Sequence, residues 1–289
     1  VHKVDIITGV PPCAGLSTAG CADAGTRGDS PVNNWMYKLA HFNLGILKPK
    51  IYTFENAPGL YTSIGDKVRE ALINIGLQHG YSTTFFRTNT VLHGLPQSRI
   101  RTYVIYFEGE KAPMLNKIQR PCEPLHTFLT RANDTMPQYN NYDTDFPDIN
   151  EYLVVKFFKE FYGNNWRELI LSKYHHIASY KYLIQEEIMY QYRDWLEKQP
   201  ESKDKIKTIQ NVDHILYKRS LGKGYRVGYK SITLHKDFVN VIYSDSMHKM
   251  VHPIAPRILN IRELLLLMGM PNDFEVPNKA DYGKIGQNV

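Results

Sequence analysis

Apolar residues recur along this chain in two rhythms. Residues 4–8 (VDIIT) and 51–54 (IYTF) are short apolar runs, the pattern of buried strands. Ile64, Val68, Leu72 and Ile75 fall on one face at helical spacing, so residues 63–75 read as a helix that Gly76 and Gly80 bring to an end. Residues 34–42 read as another helix, and residues 82–88 and 101–107 as two further strands. Strand, helix, strand, helix, strand implies an α/β domain with a largely parallel sheet. Between the first strand and the first helix, residues 9–31 form a long glycine-rich loop, a feature that in compact domains is usually functional or mobile.

The rhythm changes near Pro113. Residues 113–251 are rich in Tyr, Asn, Lys and His and lack the strand–helix alternation. Helical periodicity predicts helices over 151–161 and 182–196. The charge-rich residues 203–207 read as a solvated helix face or a loop, and residues 225–227, 231–234 and 238–243 as short strands. This block reads as an inserted second domain, with residues 1–112 and 252–289 belonging to the first. Asn260 followed by Glu263 resembles a capping box, opening an apolar helix that ends at Gly269 and Pro271.

Composition narrows the classes. The chain has 289 residues, 43% of them hydrophobic, enough for one large domain or two ordinary ones. A formal charge of +6 favours an acidic partner such as nucleic acid, although many soluble enzymes share it. No apolar run reaches the roughly 18 residues of a membrane span. Three cysteines, Cys13, Cys21 and Cys122, are too few and too irregular for a disulfide framework or a zinc site. His175-His176 lacks a third ligand at metal spacing. The expected compartment is reducing and intracellular: cytoplasm or nucleoid, or the nucleus in a eukaryote.

Three segments carry candidate chemistry. Gly9-Val10-Pro11-Pro12-Cys13-Ala14-Gly15 follows a strand, and its prolines fix the backbone that aims the thiol into a crevice at the strand end. A cysteine there is a nucleophile in its thiolate form, or else a small buried apolar residue. Phe54-Glu55-Asn56-Ala57-Pro58-Gly59 also ends a strand, where a carboxyl group can hydrogen-bond a heterocycle's ring nitrogen or simply cap a turn. Pro96-Gln97-Ser98-Arg99-Ile100-Arg101 leads into a strand. Alternation puts Arg99 and Arg101 on one face, suited to planar contacts with a base or phosphate, or to an ordinary strand surface.

The order and spacing of these segments decide between those readings. Pro-Pro-Cys, then Glu-Asn-x-x-Gly about forty residues later, then Gln-x-Arg-x-Arg another forty on, resembles motifs IV, VI and VIII of the DNA (cytosine-5)-methyltransferase family. Residues 257–274, with Arg262-Glu263, are similar to motif IX, and residues 282–289, ending Gly286-Gln287-Asn288-Val289, to motif X. The resemblance implies a Rossmann-like fold dependent on S-adenosylmethionine, N-terminally incomplete, with residues 113–251 in the place of the target-recognition domain. It implies that Cys13 attacks carbon 6 of a flipped-out cytosine. Glu55 then holds the ring nitrogen 3 edge and Arg101 orients the ring, with Arg99 and Gln97 supporting it. Ser17, Arg27 and Asn56 become DNA or substrate contacts, and Pro11 and Asn288 touch the cofactor. In the inserted block, Lys218, Arg219, Lys223, Arg226, Lys230 and Lys236 are candidate phosphate and groove contacts.

The chain departs from the family pattern at Ala14, Leu16, Ala57 and Gln287, beside the chemistry. The family's first strands, with the loop that binds the cofactor, have no counterpart here. The expectation is a segment of a longer polypeptide, or a subunit whose partner supplies the cofactor half, binding S-adenosylmethionine weakly by itself and double-stranded DNA as substrate. The rival expectation is a catalytically inactive DNA-binding subunit with the same fold.

Overall fold

A computed structural model describes residues 4–17, 28–112, 116, 118–132, 148–224, 229–243, 248–271 and 274. The chain divides into two compact units, residues 1–93 with 99–120, and residues 94–98 with 121–289.

The first unit is a four-stranded sheet flanked by helices. In chain order it comprises β1 (Ile6–Gly9), α1 (Asn34–Phe42), β2 (Ile51–Asn56), α2 (Asp66–Gln78) and β3 (Tyr81–Asn89). A two-residue β4 (Gln97–Ser98) counts with the second unit, and β5 (Ile100–Glu108) returns to the first. The sheet order is β1-β2-β5-β3. β1 and β2 run parallel, but β5 is antiparallel to both its neighbours, with Tyr81 facing Glu108 and Glu55 facing Tyr103. The expected largely parallel sheet is therefore mixed. The reason is local: the link from β3 to β5 holds no crossover helix, and a link that short permits only an antiparallel return.

Burial on α2 follows the predicted face, with Val68, Leu72 and Ile75 buried. Gly76 lies inside the helix and does not end it. A Cβ there would stand 2.3 Å from the Thr83 hydroxyl and 3.1 Å from the Tyr106 ring, so glycine lets helix and sheet close up. The end falls at Gly80, whose φ of +80° is the left-handed conformation glycine adopts freely. Beneath α2 the Tyr52 and Tyr106 rings stack at 5.7 Å between centroids, and the Tyr106 hydroxyl donates to the Leu72 carbonyl.

The second unit is mainly helical: α3 (Leu125–Thr130), α4 (Leu153–Tyr162), α5 (Trp166–Lys173), β6 (His176–Ala178), α6 (Ser179–Gln185), α7 (Met189–Glu197), α8 (Lys203–Ser220), β7 (Thr233–His235), β8 (Val239–Asn240) and α9 (Ile261–Leu267). Its larger core is aromatic, with Phe157, Phe158, Trp166, Tyr180, Tyr182 and Tyr192 packed together. The helix predicted over 182–196 is two, broken at Glu187, which has a φ of +59°. The stretch 203–207 opens an eighteen-residue helix. The strand expected over 225–227 lies outside the described residues. A second core joins α3, β8 and α9, so residues 252–271 pack with the inserted block in one unit. At α9 the capping box forms: the Asn260 side chain accepts from the Glu263 N–H, and the Glu263 carboxylate accepts from the Asn260 N–H, each at 2.8 Å.

Candidate active site

Because β1 and β2 are parallel and β5 is antiparallel to β2, the ends of β1 and β2 and the start of β5 meet at one edge of the sheet. Gly9 pairs with Phe54, and Asn56 with Thr102. Cys13, Glu55 and Arg101 are thus carried to the same edge by three strands.

Each has a distinct environment. Cys13 is solvent-exposed, in a turn closed by the Leu16 N–H donating to the Cys13 carbonyl at 2.9 Å. Glu55 and Arg101 form an ion pair, Nε to Oε1 at 2.6 Å, with both side chains about a fifth exposed. Arg101 also donates to the Ile100 carbonyl at 2.8 Å, which fixes the guanidinium's orientation. Arg99 is half-buried. Burial lowers its pKa and the neighbouring Arg101 charge lowers it further, while Glu55, Tyr103 and Cys13 pull the other way. It remains a cation at ordinary pH, and its backbone exchanges hydrogen bonds with Thr90. The arrangement is an exposed thiol, an anchored carboxylate and two guanidiniums on one sheet edge. Such a set can present a nucleophile, a hydrogen-bonding carboxyl and planar donors to a flat polar ring.

The sequence profile of the family described as C-5 cytosine-specific DNA methylase matches residues 1–288. The chain belongs to that family. It is similar to the type II methyltransferase M1.HphI of Haemophilus parahaemolyticus, 27% identical over 100% of this chain and 65% of that one. It also resembles M.DdeI of Desulfomicrobium norvegicum, 26% identical over 62% of this chain and 42% of the relative. The chain therefore spans less than two thirds of the length of either relative. Among solved structures, a mutant form of Spodoptera frugiperda DNMT2 aligns with 98% of the chain and 73% of its own length, at 13% identity and a TM-score of 0.45.

The other candidate residues of this chain fall into three groups. Asn56, expected as a DNA or substrate contact, is wholly buried instead. Its amide donates to the Pro11 carbonyl at 3.5 Å and toward the Met36 sulfur, and its oxygen accepts from the Ala57 N–H at 2.8 Å. It ties the end of β2 to the segment that carries Cys13. Gln97 belongs to the second unit, where it is 2% exposed and donates to the Leu267 carbonyl at 3.1 Å. Its amide nitrogen is thereby engaged inside the second unit. Pro11 is buried, Ser17 half-buried, and Arg27 and Asn288 lie outside the described residues.

One positioning residue carried no chemistry in the sequence. A Cβ on Gly59 would stand 2.2 Å from the Leu16 carbonyl oxygen, so only glycine allows the Cys13 turn to pack on the segment after Glu55. The motif's closing glycine was the available signal. Among the described residues no helix is long and apolar enough to cross a membrane, and no three His, Cys, Asp or Glu groups cluster to hold a metal.

Proposed function

We propose that this protein is a DNA (cytosine-5)-methyltransferase that moves a methyl group from S-adenosylmethionine to carbon 5 of a cytosine flipped out of duplex DNA. The observation that carries this reading is the exposed Cys13 thiol at the same sheet edge as the Glu55–Arg101 pair. Carbon 5 of cytosine is a poor nucleophile until something adds across the ring. The Cys13 thiolate forms a bond to carbon 6, and the displaced π electrons make carbon 5 nucleophilic. Glu55 hydrogen-bonds the nitrogen 3 edge, and the guanidiniums of Arg101 and Arg99 hold the ring carbonyl side. After carbon 5 is methylated, loss of its proton and cleavage of the carbon–sulfur bond release Cys13.

The residues assigned to the cofactor do not make a site by themselves. Pro11 is buried and its carbonyl accepts from Asn56. Contacts to the cofactor therefore fall to residues other than these.

The test uses the full-length protein with S-adenosylmethionine and duplex DNA containing 5-fluorocytosine. Fluorine blocks the last elimination and traps the adduct. A protein–DNA adduct mapped to Cys13, absent in Cys13→Ala, is the expected result. DNA binding with no adduct, in protein that binds the cofactor, would establish an inactive DNA-binding protein of the same fold.

A further inference from the structure

The second unit holds a cleft that this chemistry does not use. β6 and β7 pair antiparallel, with His176 opposite His235 and Ala178 opposite Thr233. Directly opposed residues project to the same face of such a ribbon, so these four side chains share one side. A cavity of about 500 Å³ opens there, lined by His176, Lys181, Gln185, Asn240 and Tyr243 among others. That volume lies in the range of sites that accept a small organic group.

Its polar groups are open to a visitor. The side chains of His176, Lys181, Gln185 and Asn240 make no hydrogen bond with other described residues. The neighbouring groups are engaged, Lys173 in an ion pair with Glu186 at 2.5 Å and the His175 ring against Asp237 at 3.1 Å. Lys181 is therefore a cation at this cleft with no acidic partner among the described residues. Burial, then Lys181 and His175, lower the pKa of His176 and favour its neutral ring, with one donor and one acceptor. His235, opposite His176 on the ribbon, is 2% exposed with no hydrogen-bond partner for its ring nitrogens among the described residues, and it lies behind the cavity rather than in its lining.

Amides and a neutral imidazole match the donor and acceptor edge of a nucleobase, and an unpaired lysine matches a phosphate. Of the basic residues that the sequence singled out, not all are equally placed. Lys230 is held by Asp204, and Arg226 lies outside the described residues. We infer that the β6–β7 cleft reads a base of duplex DNA other than the target cytosine, with His176 and Asn240 setting specificity and Lys181 on a nearby phosphate. This rests on the proposed reaction on DNA and names where its sequence preference arises.

The test selects bound molecules from a randomised duplex library with the full-length protein and sequences them, so it reads binding without requiring catalysis. His176→Ala and Asn240→Ala are expected to flatten the preference at one position by about 10- to 100-fold, the scale of one good base contact. His176→Gln, which keeps a donor and an acceptor, restores part of it. Lys181→Ala lowers affinity for all sequences alike and reduces the salt slope by about one. His176 and Lys181 are exposed, so their variants keep the test independent of folding at β8. Unchanged preferences and salt slope in the His176 and Lys181 variants would overturn the inference, as would a wild-type protein with no preference at all. A wild-type protein that selects sequences but forms no adduct with 5-fluorocytosine removes the reaction and leaves this inference standing.

Discussion

Two arginine–glutamate pairs, Glu55–Arg101 in the first unit and Arg257–Glu263 in the second, differ in what surrounds them. Glu263 is 1% exposed and its oxygens are saturated. Arg257 donates to both at 2.8 and 2.9 Å, the Asn260 N–H donates to one, and the His252 ring lies 3.5 Å from the other. Glu55 is a fifth exposed and, among the described residues, meets Arg101 alone, through one oxygen. A carboxylate with every lone pair engaged holds a fold together. One with an oxygen left over at a sheet edge is available to a ligand. On the proposed reading the same two residue types serve structure in one place and chemistry in the other, and saturation is what tells them apart.

Breaking both pairs in the same way gives the sharpest contrast. Arg257→Met leaves the Glu263 charge buried and unpaired, and a loss of about 3–5 kcal/mol is expected from urea unfolding. Arg101→Met should change the midpoint by less than about 1 kcal/mol, because a partly exposed pair contributes little, while adduct formation falls by at least about 100-fold. Equal destabilisation by the two substitutions would remove the distinction.

The next largest effect concerns an interior group that is not saturated. Burial pushes the His235 pKa down to about 3, with His176 adding in the same direction. A depressed pKa means that the folded unit refuses a proton the unfolded chain accepts below about pH 6.5. Stability is therefore full above that pH and falls as pH drops toward 3, by about 1.4 kcal/mol per unit. Between pH 7 and 4.5 the wild type should lose roughly 2–3 kcal/mol more than His235→Phe. Parallel pH profiles for the two proteins would count against a neutral buried imidazole.

The smallest effect tests saturation at the rim. Asn56→Ala removes the tie to the Pro11 carbonyl and should lower stability by about 1–2 kcal/mol. Methyl transfer should fall further than that loss of folded protein explains, because the Cys13 segment loses its anchor. Activity per folded molecule equal to wild type would make Asn56 merely structural.

What the sequence made legible was local. The apolar face of α2 and the Asn260–Glu263 capping box follow from spacings of three and four residues, and both stand as expected. α8 was hidden because its buried positions are Lys205, Thr208, Val212 and Ile215. A periodicity that begins with lysine and threonine looks like a solvated face, and the Lys205 ammonium is satisfied by the carbonyls of Glu197 and Gln199 and by Glu201. The candidate site residues were picked out by motif order, but what Asn56 and Gln97 touch depends on partners 45 and 170 positions away. No local pattern distinguishes an amide that faces DNA from one that braces a turn.

The contact of Gly59 with Leu16 limits which sequences this site can explore. Position 59 holds no functional group, yet any side chain there collides with the backbone that carries the thiol. Libraries that randomise positions around Cys13 alone would sample variants already compatible with that contact. Those that reach residue 59 would discard almost every member for reasons unrelated to catalysis. In evolutionary terms, the stretch after the carboxylate and the turn after the thiol behave as one inherited part, and exchange between relatives should move them together.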